Sequence, residues 1–206
     1  MNKLFLTTAL VALAAASAAD AAEGDWVFRL RALSVAPSES ATITPIGGDV
    51  DISNSVVPEL DISYFFTDHF AAELILGVTP HDVMAVNTAA GNVDLGSVTL
   101  LPPTLTFQYH FQPEASFRPY VGAGVNYTVF FNDALPTGGT ATSISYDNSF
   151  GLAAQIGADI DLNETWFLNV DLKWVDINTD VTINNTIMAD VDIDPWIFGI
   201  GIGRRF

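Results

Sequence analysis

The sequence predicts an all-β protein: an eight-stranded antiparallel transmembrane β-barrel with short periplasmic turns and long extracellular loops. Three observations predict it. Half of the 206 residues are hydrophobic and only 15% are charged, which suits a membrane protein or an apolar exported domain. Yet beyond the N-terminal segment no stretch approaches the ~18 uninterrupted apolar residues of a spanning helix, and in lipid the only other structure that satisfies its own backbone hydrogen bonds is a closed barrel. Finally, segments of period-two alternation are joined by links that alternate short and long, as in outer-membrane barrels. A soluble sandwich has no reason to sort its loops in this way.

The N-terminus carries Lys3, an apolar run from Leu4 to about Ala16, and small residues at Ala19-Asp20-Ala21. Residues 1–21 are therefore expected to be a cleaved export signal, leaving 22–206 as a single barrel domain. Export of a chain without cysteine fits a bacterial envelope protein and argues against a disulfide-stapled secreted domain.

Successive side chains of a strand point to opposite faces, so each segment divides in two. In the first, Trp26, Phe28, Leu30 and Ala32 oppose Arg29, Arg31, Leu33 and Val35. Residues 56–66 set Leu60, Ile62, Tyr64 and Phe66 against Val57, Glu59, Asp61 and Ser63. After the turn at 67–69, Ala72, Leu74, Leu76 and Val78 oppose Glu73, Ile75 and Gly77. In "LPPTLTFQYHF", Leu105, Phe107, Tyr109 and Phe111 oppose Thr104, Thr106, Gln108 and His110. The fifth segment, "RPYVGAGVNYTVFF", sets Val121, Ala123, Val125 and Tyr127 against Arg118, Tyr120, Gly122, Gly124, Asn126, Thr128 and Phe130. The sixth, near 149–162, places Phe150, Leu152 and Ile156 opposite Gln155, Gly157 and Asp159. In the seventh, Trp166, Leu168, Val170, Leu172 and Trp174 face away from Phe167, Asn169, Asp171, Lys173 and Val175. The last, "PWIFGIGIGRRF", opposes Trp196, Phe198, Ile200 and Ile202 to Ile197, Gly199, Gly201, Gly203 and Arg205. The links between segments one and two, three and four, five and six, and seven and eight are long and read as polar loops of roughly 15 to 20 residues.

The aromatics orient the wall. Trp and Tyr favour membrane–water interfaces, and Trp26, Tyr64, Phe66, Tyr109, Phe111, Trp166, Trp174, Trp196 and Phe206 all lie on the apolar faces near strand ends. Those faces meet lipid. The polar faces line a bore that eight strands leave nearly filled by side chains, where Arg29, Arg31, Glu59, Asp61, Glu73, Arg118, Asp159, Asp171, Lys173 and Arg205 can pair. These charges fall in the lower and middle barrel. The extracellular end receives Leu33, Val35, Val57, Ile75, Leu100, Phe130, Val175, Ile177 and Ile197. An apolar well above a charged floor is either a site for a small hydrophobic molecule or a barrel neck packed against folded loops.

Other motifs lead nowhere. Gly199, Gly201 and Gly203 mimic a dinucleotide fingerprint, but no helix can follow them before Phe206. Asp176, Asn178 and Asp180 start like a calcium loop, but Val181 and Ile187 stand where its glycine and bidentate acid belong. His69, His81 and His110 lack metal-ligand spacing, so no metal or cofactor is expected. A nucleophile with a base is likewise missing, which sets a lipid-modifying enzyme aside. The formal net charge of −17 excludes nucleic acid as a partner. It fits a solvated surface or acidic loops that meet lipopolysaccharide through divalent cations.

"LPPTL" at 101–105, "RPYVGAGVNYTVFF" at 118–131, "WFLNVDLKWVDINT" at 166–179, "DPWIFGIGIGRRF" at 194–206 and "ELILGVTPH" at 73–81 together resemble the OmpW family of small Gram-negative outer-membrane proteins. The resemblance implies residence in the cell outer membrane and a hydrophobic channel that takes small apolar molecules from outside and releases them laterally. It implies closure of the channel's lower end by an aliphatic and an aromatic lumenal side chain. Ile75 matches the first, whereas Lys173 stands where the aromatic is expected. Terminal Phe206 resembles the signal read by the barrel-assembly machinery, with Arg204 in place of the aromatic two residues earlier. Two functions compete: passive admission of hydrophobic solutes through the barrel, and a structural or surface-interaction role, as receptor or envelope-stability factor, carried by the long loops.

Overall fold

The computed structural model describes residues 23–206; the expected export signal, residues 1–21, lies outside the described residues. β1 (Trp26–Ala36) is followed by the short β2 (Ser40–Thr44) and β3 (Asp49–Ile52), then by β4 (Ser55–Phe65) and β5 (Phe70–Gly77). β6 (Thr79–Thr88) and β7 (Gly91–Leu101) form a hairpin ahead of β8 (Thr104–His110) and the 18-residue β9 (Phe117–Ala134). β10 (Ile144–Tyr146), β11 (Ser149–Asp161) and β12 (Trp166–Val175) lead to a second hairpin, β13 (Asn178–Ile183) and β14 (Ile187–Asp192), and finally to β15 (Trp196–Arg205).

Antiparallel pairing runs β11-β12-β15-β1-β4-β5-β8-β9, and β9 pairs back onto β11, which closes an eight-stranded barrel with no free edge. The last and first strands are neighbours, and Trp26 and Phe206 exchange backbone hydrogen bonds of 3.1 and 2.9 Å. Alternation holds along the wall: in β1, Val27, Arg29, Arg31, Leu33 and Val35 are buried, while Trp26, Phe28, Leu30 and Ala32 are exposed to the bilayer. Outward aromatics gather at strand ends. Trp26 meets Tyr64 at 5.0 Å, Tyr64 meets Phe66 at 5.2 Å, and Phe70 and Phe111 each meet Tyr109 at 5.1 Å. The Arg204 guanidinium lies over the rings of Trp166 and Phe206, at 5.4 and 4.7 Å, within this girdle. At the other end Trp174 and Trp196 stand directly across from each other.

The long links are not the polar loops that composition predicts. β6 and β7 pair with each other, β3 pairs with β6, and β7 pairs with the outer part of β9. β10, β13, β14 and β2 form a second sheet of four strands. Both sheets continue the wall beyond the membrane and turn Ile43, Val50, Ile52, Val83, Ala85, Leu95, Val98, Val181, Ile183, Ala189 and Val191 inward as buried residues. β2, β3, β13 and β14 are four to six residues long, whereas β6 and β7 run to ten and eleven but lose register between Asp82 and Met84 and between Ala85 and Thr88. Each puts Asp, Asn, Thr or Ser on its outer face, so the polar half dominates the composition and the apolar half is too short to stand out.

Inward glycines make room for the large lumenal side chains. A Cβ on Gly203 would overlap the Phe167 ring, and a Cβ on Gly201 would overlap the Leu30 carbonyl and lie 2.7 Å from Arg31 Cα, so backbone itself would have to move. Gly201→Val is expected to destabilise the barrel by roughly 1–3 kcal/mol, the cost of overpacking a filled core. A fall in the urea midpoint in lipid vesicles measures it.

Candidate functional site

The lumen is built in three levels. At the periplasmic end Val27, Phe65, Ala71 and Phe167 form a small buried cluster. Three guanidiniums surround the Phe167 ring, those of Arg29, Arg118 and Arg205, at 5.4, 5.8 and 5.2 Å. Arg118 is bidentate to Asp161 and donates to the Ala115 carbonyl at 2.9 Å, while Arg205 reaches Asp161 at 2.7 Å. Asp161, the last residue of β11 and on the same face as Asp159, is absent from the sequence reading although it lies within the sixth segment.

Above this plug the other eight predicted charges form one network. Arg29 donates to Glu73 at 3.1 Å, to Asp159 at 3.0 Å and to Ser63 at 2.7 Å. Arg31 lies within 3.4 Å of four carboxylates, those of Glu59, Asp61, Glu73 and Asp171. Lys173 bridges Glu59 and Asp171. Gln108 and Gln155 donate to the second Glu73 oxygen at 2.8 and 3.0 Å, and the Tyr120 hydroxyl donates to Asp171 at 3.1 Å. Charges removed from water are tolerable only when paired in this manner. The network fills the bore from wall to wall.

Above the network the lumen turns apolar. A cavity of about 40 Å³ rests on Glu59 and Lys173 and is lined by Leu33, Val35, Ile75, Leu100, Val175, Ile177 and Ile197. A second cavity, also about 40 Å³, lies in the extension and is lined by Ile43, Val50, Ile52, Val83, Leu95, Phe130, Val181 and Val191 among others. The two share His81, Leu100 and Ile193. The upper one shares Ile43, Ala85, Leu95 and Ile183 with an open groove of about 560 Å³ at the loop tips. Apolar lining is thus continuous from the outer surface to the charged floor. Of the nine residues predicted for the well, Val57 is buried in the same apolar cluster but lines neither cavity. Lys173 occupies the floor of the lower cavity as an ion-paired cation, not as the aromatic stopper that the resemblance implies.

His81, set aside in the sequence as an isolated histidine, is 3% exposed and stands at the junction of the two cavities. Its Nδ1 lies 2.7 Å from the Ser53 carbonyl, an acceptor only, so Nδ1 carries the proton. Loss of hydration pushes its pKa below the ordinary 6.5, against the Ser53 hydrogen bond and then Asp82 and Glu39, which act in the opposite sense. The sign follows: the open form takes up a proton before the closed form does. Stability of the extension is therefore full at neutral pH and lost as pH falls below about 6.5. Amide exchange across the Ile52–Val83 ladder, corrected for intrinsic rates, is expected to show easier opening at pH 5 than at pH 7.5.

A family model described as the OmpW family matches residues 22–206. The chain is 41% identical to an uncharacterized outer-membrane protein, y4mB, of Sinorhizobium fredii, over 88% of this chain and 80% of that one. It is 30% identical to the dibenzothiophene metabolism operon protein PahQ of Pseudomonas aeruginosa, over 90% of each chain. The crystal structure of the outer membrane protein OprG from Pseudomonas aeruginosa superposes with a TM-score of 0.85 at 30% identity, covering 91% of this chain and 98% of that one.

Proposed function

The chain belongs to the OmpW family and is an outer-membrane barrel, and from that premise we propose that it admits small hydrophobic molecules passively from outside the cell. One observation carries the reading: a tip groove of mixed lining and two apolar cavities, linked through shared apolar residues and ending on a charged floor. Apolar lining lowers the cost of taking a hydrophobe out of water, while the floor bars its way to the periplasm. Each cavity has room for only a few waters, so a solute advances by displacing side chains from one void to the next.

Exit is sideways. The β5–β8 ladder stops at the Ile75–Thr104 pair, and Pro102, Pro103 and Gly77 follow at the level of the lower cavity. Proline has no N–H to give a ladder, so the wall lacks backbone donors at this seam, where the solute leaves for lipid. The PahQ name, from an operon for dibenzothiophene metabolism, is consistent with an apolar aromatic molecule as solute.

Methyl NMR of the barrel in lipid nanodiscs tests the proposal. Naphthalene is expected to shift the methyls of Ile43, Leu100 and Ile193 and to leave the lipid-facing Ile156 and Leu168 at the values that lipid-dissolved naphthalene alone produces. Equal shifts in both sets would remove the channel and leave the loop-interaction role.

A further inference from the structure

The apolar path holds a hydrogen-bonding group that is fixed in place with one atom left unused, the imidazole of His81; the Tyr146 hydroxyl, which lines the upper cavity alone, is also without a partner among the described residues. His81 lines both cavities, and its ring is anchored from one side: Nδ1–H donates to the Ser53 carbonyl at 2.7 Å, while Ser53 is tied to the next residue by Asp82 N–H to Ser53 Oγ at 2.8 Å and Ser53 N–H to the Asp82 carbonyl at 3.0 Å. With Nδ1 protonated and the ring neutral, Nε2 is a bare acceptor. No group among the described residues donates to it. The charged groups near the ring, Asp82 and Glu39, are both acceptors at neutral pH. An acceptor on a cavity-lining residue gains a partner from a polar ligand's donor and none from a hydrocarbon.

We propose that His81 is a specificity-determining residue, and that the channel's preferred solutes are small apolar molecules with a single hydrogen-bond donor, alcohols or phenols, whose O–H docks on Nε2. This rests on the channel reading above and narrows its substrate class. The rest of such a molecule lies against Leu100 and Ile193, which the two cavities share with His81. A donor-bearing solute therefore pauses at the waist of the path, and a solute lacking one passes without a fixed pose.

The test uses two isomers of equal size, 1-hexanol and 1-methoxypentane, the second an acceptor with no donor. Both are titrated into nanodiscs holding the full barrel, with empty nanodiscs correcting for partition into lipid. Half-maximal shift of the Leu100 and Ile193 methyls is expected at a roughly five- to tenfold lower membrane concentration of hexanol than of the ether, and His81→Phe is expected to erase that ratio. In the wild-type barrel the His81 Nε2 nitrogen resonance is expected to move with hexanol and not with the ether, a readout that does not depend on how the variant folds. Equal affinities in the wild type, an undiminished ratio in His81→Phe, or an Nε2 resonance indifferent to hexanol would each overturn the role of His81 while naphthalene binding still upholds the channel. Failure of hexanol, the ether and naphthalene alike to move the cavity methyls would overturn both.

Discussion

Ile193→Asp is expected to weaken naphthalene binding at least tenfold while the barrel still closes. Ile193 belongs to both apolar cavities, so a carboxylate there interrupts the path where the two meet. Asp192 and Asp194 flank it in sequence, Lys173 on the floor of the lower cavity is engaged with Glu59 and Asp171, and the basic group that shares both cavities with it is the neutral ring of His81. An uncompensated carboxyl in apolar surroundings either draws in water or stays protonated, and both raise the cost of a hydrocarbon by roughly 1.4–2.8 kcal/mol, or about 10- to 100-fold in affinity. Ile193 lies outside the eight barrel strands, so heat-modifiable migration on gels is expected to be unchanged. Undiminished methyl shifts on naphthalene titration of a folded Ile193→Asp barrel would sink the channel. Val57→Asp makes a poorer probe, because Val57 packs beside the cavities without lining them.

Arg31→Met is expected to cost about 3–5 kcal/mol of barrel stability, the range for removing one side of a buried charge cluster. The guanidinium holds Glu59, Asp61, Glu73 and Asp171 together within 3.4 Å from a fully buried position. Without it Lys173 and Arg29 face five carboxylates, of which Asp61 has no other basic partner within salt-bridge distance. Lysine is a poor replacement, since one ammonium on a flexible stem cannot span carboxylates that the planar fork reaches through Nε, Nη1 and Nη2. Urea unfolding in vesicles measures the loss. Adding Glu73→Gln to Arg31→Met is expected to cost less than the sum of the two single changes, because the second removes a charge that the first left unpaired. Strict additivity would mean that the two side chains do not interact in the folded barrel.

The wall was legible because its strands are long enough for alternation to be unmistakable. Eleven residues of β1 or thirteen of β11 separate a lipid face from a lumenal face without reference to any partner. Aromatics at the ends then decide which face is which, through their preference for the interface. The extension was illegible because most of its strands are short and its two long ones, β6 and β7, slip register where they pair. The Val50 and Ile52 pair, the Val181 and Ile183 pair and the Ala189 and Val191 pair each carry one turn of alternation, and their inward direction is fixed only by the strands beside them. His81 was passed over because its significance depends on two cavities whose walls come from segments far apart in the chain.

By itself the sequence determined the number of spanning strands, the face each turns to lipid, and the set of charges that must share the bore, because a membrane leaves an alternating strand no other way to satisfy backbone and side chains together. Only the tertiary structure decided which charges meet, that Asp161 joins Arg118 to Arg205, and that the extracellular segments prolong the apolar lumen. Arg29 and Asp159 stand 130 positions apart, and their contact exists because β9 pairs back onto β11 and closes the ring. Closure and register act between distant strands, so they are properties of the assembled barrel and of no segment within it.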